Sequence, residues 1–178
     1  MRLSRRWILT GVAIAVPLLI IFITSFAGTW KKMEDMTNAR ADHRMVEING
    51  MIYVLGNSSI SQTHVMAYDL ASGKWTRGAR MLTPRQTPAV AAVNGLIYCI
   101  GGNTGTSGPS NVNEVYDPGT DTWAKLANMP SFRQHVQASV VDDVIYVTAG
   151  HIPPDTQLRL CLAYDPSTDT WTKKADMP

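Results

Sequence analysis

The stretch Asn94-Gly95-Leu96-Ile97-Tyr98-Cys99-Ile100-Gly101-Gly102, followed after a loop by Val112-Asn113-Glu114-Val115-Tyr116-Asp117-Pro118-Gly119-Thr120-Asp121-Thr122-Trp123, reads as short apolar strands broken by turns. Runs of about five apolar residues bounded by Gly, Asn, Asp and Pro lack the 3.6-residue period of a helix, so four strands are predicted. They lie at 88–93, 96–100, 112–116 and 122–126. Asn94-Gly95 suits a tight hairpin because both residues accept positive φ at low cost. In the second turn Pro118 supplies φ near −65°, and Asp117 has a short carboxylate able to cap the turn.

The same text recurs. Trp75, Trp123 and Trp171 are 48 residues apart, and so are Tyr68, Tyr116 and Tyr164, each followed by Asp. Ile52-Tyr53, Ile97-Tyr98 and Ile145-Tyr146 recur at intervals of 45 and 48. Asn49-Gly50 repeats the first turn, Asp142-Asp143 takes its place in the third unit, and each second strand runs out into glycine at Gly56, Gly101-Gly102 or Gly150. A residue needed identically in every unit belongs to packing between units, and buried aromatic contact is the expected cause for these Tyr and Trp residues. The glycines are expected where backbone approach leaves no room for a side chain. A second spacing, Trp30-x5-Met36-x3-Arg40, returns at Trp75 and Trp123 and begins again at Trp171-x5-Met177. It predicts a fourth strand around Trp30, so the chain holds four copies of that strand against three of the others.

Four-stranded units of 45 to 48 residues with a glycine pair after the second strand, Tyr-Asp, then Trp resemble the kelch repeat of β-propellers. Unit two carries the resemblance most fully, through Arg85, Tyr98, Gly101, Gly102, Tyr116 and Trp123; unit one has Gly56-Asn57 and unit three Ala149-Gly150 where the family has Gly-Gly. The resemblance implies an all-β fold of three four-stranded antiparallel blades, at about 40–84, 85–132 and 133–178, within a 28–178 propeller segment. A ring needs about four to eight blades. The chain stops in mid-motif at Met177-Pro178, so a fragment of a longer product is expected, its remaining blades coming from that chain or from a second copy.

In kelch propellers the first strand lies nearest the axis. Arg40, Arg85 and Arg133, with His43 and His135 just beyond, are therefore candidates for a ligand-binding rim at the channel mouth. Guanidinium groups there would hold a carboxylate bidentately. The competing reading is that each Arg ties one blade to the next through backbone carbonyls. The loops 57–63, 103–111 and 151–157 differ completely from one another, as a binding surface would.

A chain of 178 residues, 45% apolar and 17% charged, is globular rather than disordered. Three of its 16 basic residues, Arg2, Arg5 and Arg6, precede an uncharged run; the rest of the chain carries 13 basic against 14 acidic residues, and no nucleic-acid partner is expected. As a helix, residues 7–27 would extend about 32 Å, enough to cross a bilayer. This N-terminal apolar helix is read as a transmembrane signal anchor, with the propeller on the extracytoplasmic side. The same residues parse as a signal peptide cut after Ser25-Phe26-Ala27, which would leave a secreted or periplasmic domain. Ser4-Arg5-Arg6-Trp7 is similar to a twin-arginine export signal.

Cys99 and Cys161 lack zinc-ligand spacing and are expected as buried free thiols; no metal or cofactor is expected. No nucleophile–base–orienter set, P-loop or carboxylate pair is legible. The expected function is a binding or interaction module taking a protein or glycan ligand. Kelch-like propellers also include copper oxidases and sugar mutarotases. Nothing here matches the Tyr, Cys and His set of the oxidases. The alternative is a carbohydrate-active enzyme of the sialic-acid mutarotase type, marked by a lone Glu, His or Tyr at one blade's channel position.

Overall fold

In the computed structural model the described residues are 30–59, 63–154 and 156–178. The anchor and signal readings of 7–27 fall outside them. Among the described residues no helix is long and apolar enough to cross a membrane.

Each apolar pentapeptide forms a strand. The first sheet runs β1 (Arg44–Ile48), β2 (Met51–Leu55), β3 (His64–Asp69), β4 (Lys74–Arg80), neighbours pairing antiparallel in chain order. The second repeats it with β5 (Ala89–Val93), β6 (Leu96–Ile100), β7 (Asn113–Asp117) and β8 (Thr122–Lys125). In the third, β9 (Gln137–Val141) and β10 (Val144–Thr148) are followed by a small hairpin, β11 (His151–Ile152) with β12 (Thr156–Gln157). The sheet then closes with β13 (Cys161–Asp165) and β14 (Thr170–Lys173).

The first turns behave as their residues require. Asn49-Gly50, Asn94-Gly95 and Asp142-Asp143 all hold positive φ at both positions, the type I′ geometry that matches strand twist. Asp142 and Asp143 bear the steric cost that glycine avoids. Ala149 has φ of 57° where its counterpart Gly101 has 62°. A left-handed Cβ costs roughly 1–2 kcal/mol, partly offset by the roughly 0.5–1 kcal/mol entropic penalty of glycine. Ala149→Gly is therefore expected to raise unfolding free energy by about 0.5–1 kcal/mol in a denaturant titration.

The sheets stack face to face through two apolar seams. One joins Tyr53, Leu55, Val65 and Ala67 to Ile97, Cys99 and Tyr116; the other joins Ala91, Tyr98 and Ile100 to Ile145, Leu162 and Tyr164. Removing each large side chain from water contributes about 1.5–3 kcal/mol. The rings repeat in register: Tyr53–Tyr116 centroids lie 6.3 Å apart and Tyr98–Tyr164 6.0 Å apart. A carboxylate staples each seam. Asp121 Oδ1 accepts from the Tyr116 hydroxyl and from Ala79 N of the preceding sheet, both at 2.6 Å; Asp169 Oδ1 accepts from Tyr164 at 2.6 Å and Ala127 N at 2.8 Å.

Desolvation and then the neighbouring carboxylate push the Tyr116 and Tyr164 hydroxyls well above the usual phenol range. A folded-state pKa raised above its unfolded value contributes stability that is full below pH about 10 and is lost as pH rises. In an ultraviolet pH titration these two tyrosines should ionise only together with alkaline unfolding, and Asp121→Asn should bring Tyr116 down.

The fourth strand predicted around Trp30 is not formed: residues 30–43 carry no strand, and Trp30 is exposed. Yet the Glu34 carbonyl accepts a 2.9 Å bond from Trp75 Nε1, as the Ala127 carbonyl does from Trp171 Nε1 at 2.8 Å. Glu34 and Ala127 each stand four residues after a Trp of the repeat. The segment occupies a fourth strand's place beside the first sheet, and among the described residues no strand forms a ladder with it.

Candidate functional site

The first strands β1, β5 and β9 adjoin one another, which makes them the innermost strands of their sheets. Two residues before each lies a non-glycine residue in the left-handed region: Asp42 (φ 58°), Thr87 (51°) and His135 (55°). A β-branched residue such as Thr87 seldom adopts it. The three link successive sheets, Thr87 N donating to Asp42 O at 2.8 Å and His135 N to Thr87 Oγ1 at 3.3 Å. One end of the inner strands thus carries an Asp, a Thr and a His at equivalent positions.

The arginines stand behind them. Arg85 and Arg133 are 0% exposed, so they do not form the exposed guanidinium rim expected from the sequence. Carbonyls at strand ends lack ladder partners, and the guanidinium fork supplies donors to them. Arg85 binds Val112 O at 3.1 Å and Cys99 O at 3.2 Å; Arg133 binds Ala149 O at 3.0 Å and Leu160 O at 3.1 Å. Arg40, half-buried, does the same with Gly56 O at 3.3 Å and His64 O at 2.6 Å. Desolvation lowers the pKa of both Arg40 and Arg133, with Arg77 adding to the effect at Arg40.

Arg85 alone has an acidic partner. Its Nη2 lies 2.5 Å from Glu114 Oε2, with both side chains fully buried, and Thr83 donates to the same carboxylate from Oγ1 at 2.6 Å and from N at 3.3 Å. Met66 and Leu162 occupy Glu114's place in the other sheets. Glu114 has no acidic counterpart in the other two sheets, but it stands on β7 and not on an innermost strand, and its contacts with Arg85 and Thr83 are internal.

His135 is exposed and stacks on His151, with ring centroids 5.0 Å apart and planes 21° from parallel. Behind them Gln134 accepts from Asn103 Nδ2, and its own Nε2 lies 2.9 Å from His151 Nε2. With the amide so oriented, Gln134 Nε2 is the donor in this contact and His151 Nε2 the acceptor. His43 is half-buried beside Arg44. The variable loops 103–111 and 151–157 feed this end: Asn103 bridges to Gln86, and His151 to Gln134. Sequence reading singled out His43 and His135 but passed over Asp42, Thr87, Gln134 and Asn103. A fixed offset of two from the repeated arginines marks Asp42 and Thr87, as it does His135.

Both cysteines are free; Cys99 is buried and Cys161 half-buried. Among the described residues no group of three His, Cys, Asp or Glu is placed to hold a metal ion. Among the described residues neither imidazole has a nucleophile or carboxylate as hydrogen-bond partner. The cluster offers a flat ring stack and mixed donors and acceptors, suited to holding a polar ligand.

Three consecutive segments, 39–82, 84–130 and 133–178, each match the family model described as the kelch motif. The chain belongs to the kelch-repeat family. A solved structure titled "Structure of YjhT" superposes with a TM-score of 0.72 at 20% identity, covering 82% of this chain and 54% of that one. This kelch chain therefore spans about half the length of that structure, and at such identity the likeness shows the fold alone. No curated protein matches the chain. Kelch repeats point to a propeller that mediates interactions. In this kelch chain the repeat-invariant arginines serve the frame, while the residues two positions on vary.

Proposed function

We propose that this kelch segment is a binding module for a protein or glycan ligand, which it meets at the end carrying Asp42, Thr87, His135 and His151. The observation that carries the reading is variation at a constant backbone position. Three blades share one left-handed conformation and one buried or half-buried arginine behind it, yet that position holds an exposed Asp42, a buried Thr87 and an exposed His135. Uniform residues build a frame, and function resides in what differs on it. Binding is favoured over catalysis because, among the described residues, neither His135 nor His151 pairs with a nucleophile or a carboxylate. The 7–27 segment supports placement of this module outside a membrane, tethered or released.

A photo-crosslinking residue at exposed Asp42, in cells making the protein, should give discrete adducts that disappear when His135 and His151 are both Ala. The same probe at exposed Asp143, on a hairpin turn, should give none. Equal adducts at both positions, or none at either, would sink the reading. A membrane-impermeant amine reagent applied to intact cells should label the exposed Lys74. Labelling only after lysis would overturn the external placement.

A further inference from the structure

The geometry points to a second ligand site at the opposite end of the inner strands, where Tyr98, Asp142, Asp143 and Asp165 hold a small free diamine between the second and third sheets. Thr87 and His135 stand just before β5 and β9, whereas the turns 94–95 and 142–143 follow those strands and close their far end. Between these two turns and the turn after β13 lies a cavity of about 420 Å³. Small-molecule sites occupy roughly 300–1,000 Å³.

Three residues lining this cavity are acids, Asp142, Asp143 and Asp165, and none is basic. Asp142 and Asp143 are exposed, and among the described residues neither carboxylate has a hydrogen-bond or ionic partner. Asp165 is fixed by its own turn, its Oδ1 accepting from Ser167 N at 2.9 Å and from Ser167 Oγ at 2.7 Å. Tyr98 supplies an independent sign of a ligand. It is only 6% exposed, yet its hydroxyl has no partner among the described residues, whereas those of Tyr116 and Tyr164 are each bound to an Asp. Buried hydroxyls are ordinarily paired. That of Tyr98 is not sealed off, as the unpartnered Tyr68 hydroxyl is, and it opens on the cavity that Tyr98 lines.

The first seam lacks this arrangement. Where the third sheet has Asp142-Asp143, the second has the uncharged turn Asn94-Gly95. The cavity beside Tyr53, the counterpart of Tyr98, measures about 250 Å³ and is lined by one basic and one acidic residue, Arg77 and Asp121.

The acids stand on two separate turns rather than converging on one point, and among the described residues no three are placed to hold a metal ion. Ammonium groups, whose N–H donors fan outward, suit such a rim, with the Tyr98 oxygen accepting one bond and the carboxylates the others. Burial, and after it Asp169, keeps the Tyr98 phenol above its usual range, so it meets the cation as a neutral acceptor. Leu96, Val144 and Pro166 give the alkyl chain an apolar wall. A diamine sets a charge against each turn, which a single lysine side chain of a protein does not.

Calorimetric titration of the full chain in non-ionic detergent with cadaverine tests this, and a saturable binding event is expected. Asp142→Asn combined with Asp143→Gly rebuilds the Asn-Gly turn of the other two sheets, so the fold is kept, and it should weaken cadaverine by roughly tenfold or more. Tyr98→Phe keeps the ring that packs 6.0 Å from Tyr164 and should also weaken it by roughly tenfold. Glu47→Gln combined with Asp176→Asn removes as much charge elsewhere and should leave binding unchanged. A wild type that binds no cadaverine, a Tyr98→Phe variant that binds like wild type, or equal weakening by the distant pair would each overturn the proposal. So would a capped lysine tripeptide that binds more tightly than cadaverine, or calcium that displaces cadaverine at equal concentration. Each of these outcomes leaves the Asp42 and His135 end untouched, since none of the variants lies there.

Discussion

Gly102→Ala is expected to lower unfolding free energy by about 1.5–4 kcal/mol, the sum of left-handed strain net of glycine's entropic penalty, roughly 0.5–1 kcal/mol, and overpacking of roughly 1–3 kcal/mol. Gly102 has φ of 96°, and a Cβ there would stand 2.7 Å from the Gln86 carbonyl oxygen and 3.1 Å from Pro88 Cα. Both obstacles are backbone of the same inner-strand entry, which is held by the reciprocal bonds Gln86 N to Asn103 O at 2.9 Å and Asn103 N to Gln86 O at 2.8 Å. The chain has little room to yield. Gly95→Ala is the control, because Gly95 has φ of 78° with nothing within 4 Å of a Cβ, so only the left-handed strain less glycine's entropic penalty remains, about 0.5–1 kcal/mol. Paired urea titrations give the difference. Equal losses would show that the close approach at Gly102 carries no energy.

Arg85→Met should cost more than Glu114→Leu, although both break the same 2.5 Å ion pair. Removing the arginine leaves a buried carboxylate with only Thr83 as donor, and breaking a buried pair in this way costs about 3–5 kcal/mol. Removing the acid leaves a guanidinium still bonded to Val112 O and Cys99 O. The protein already tolerates that arrangement at Arg133, which faces two carbonyls with Leu162 where the acid would be. The expected cost of Glu114→Leu is therefore about 1.5–3 kcal/mol, one charge-assisted hydrogen bond. Chemical denaturation of the two single variants and the double variant separates the terms. A larger loss for Glu114→Leu than for Arg85→Met would mean that the carbonyls do not sustain the lone guanidinium.

The fold was legible because its determinants are local and repeated. The type I′ turns follow from Asn49-Gly50 and Asn94-Gly95, whose φ values are tolerated by their own side chains. The Asp117 and Asp165 turns close on themselves, Asp117 Oδ1 accepting from Gly119 N and Asp165 Oδ1 from Ser167 N. Where a local rule met a missing neighbour, the prediction failed. Trp30 has the repeat spacing, but a fourth strand forms only beside a third, and among the described residues no strand pairs with this segment.

Sequence alone determined the strand order, the turn types and the Tyr and Trp residues that line each seam. Alternation along a strand assigns each side chain to a face, and the 48-residue period makes every assignment three times over. Tertiary structure alone decided which way the arginines turn, that Glu114 is spent on Arg85, that His135 and His151 stack, and that Tyr68 is left without an acceptor. Each of these depends on atoms brought together from positions 16 to 48 residues apart, or on a neighbouring sheet being absent. Arginine's pattern in the chain is the same whether its guanidinium faces solvent or a carbonyl. The free energy that chooses between them comes from desolvation and hydrogen-bond geometry that exist only once the sheets have packed.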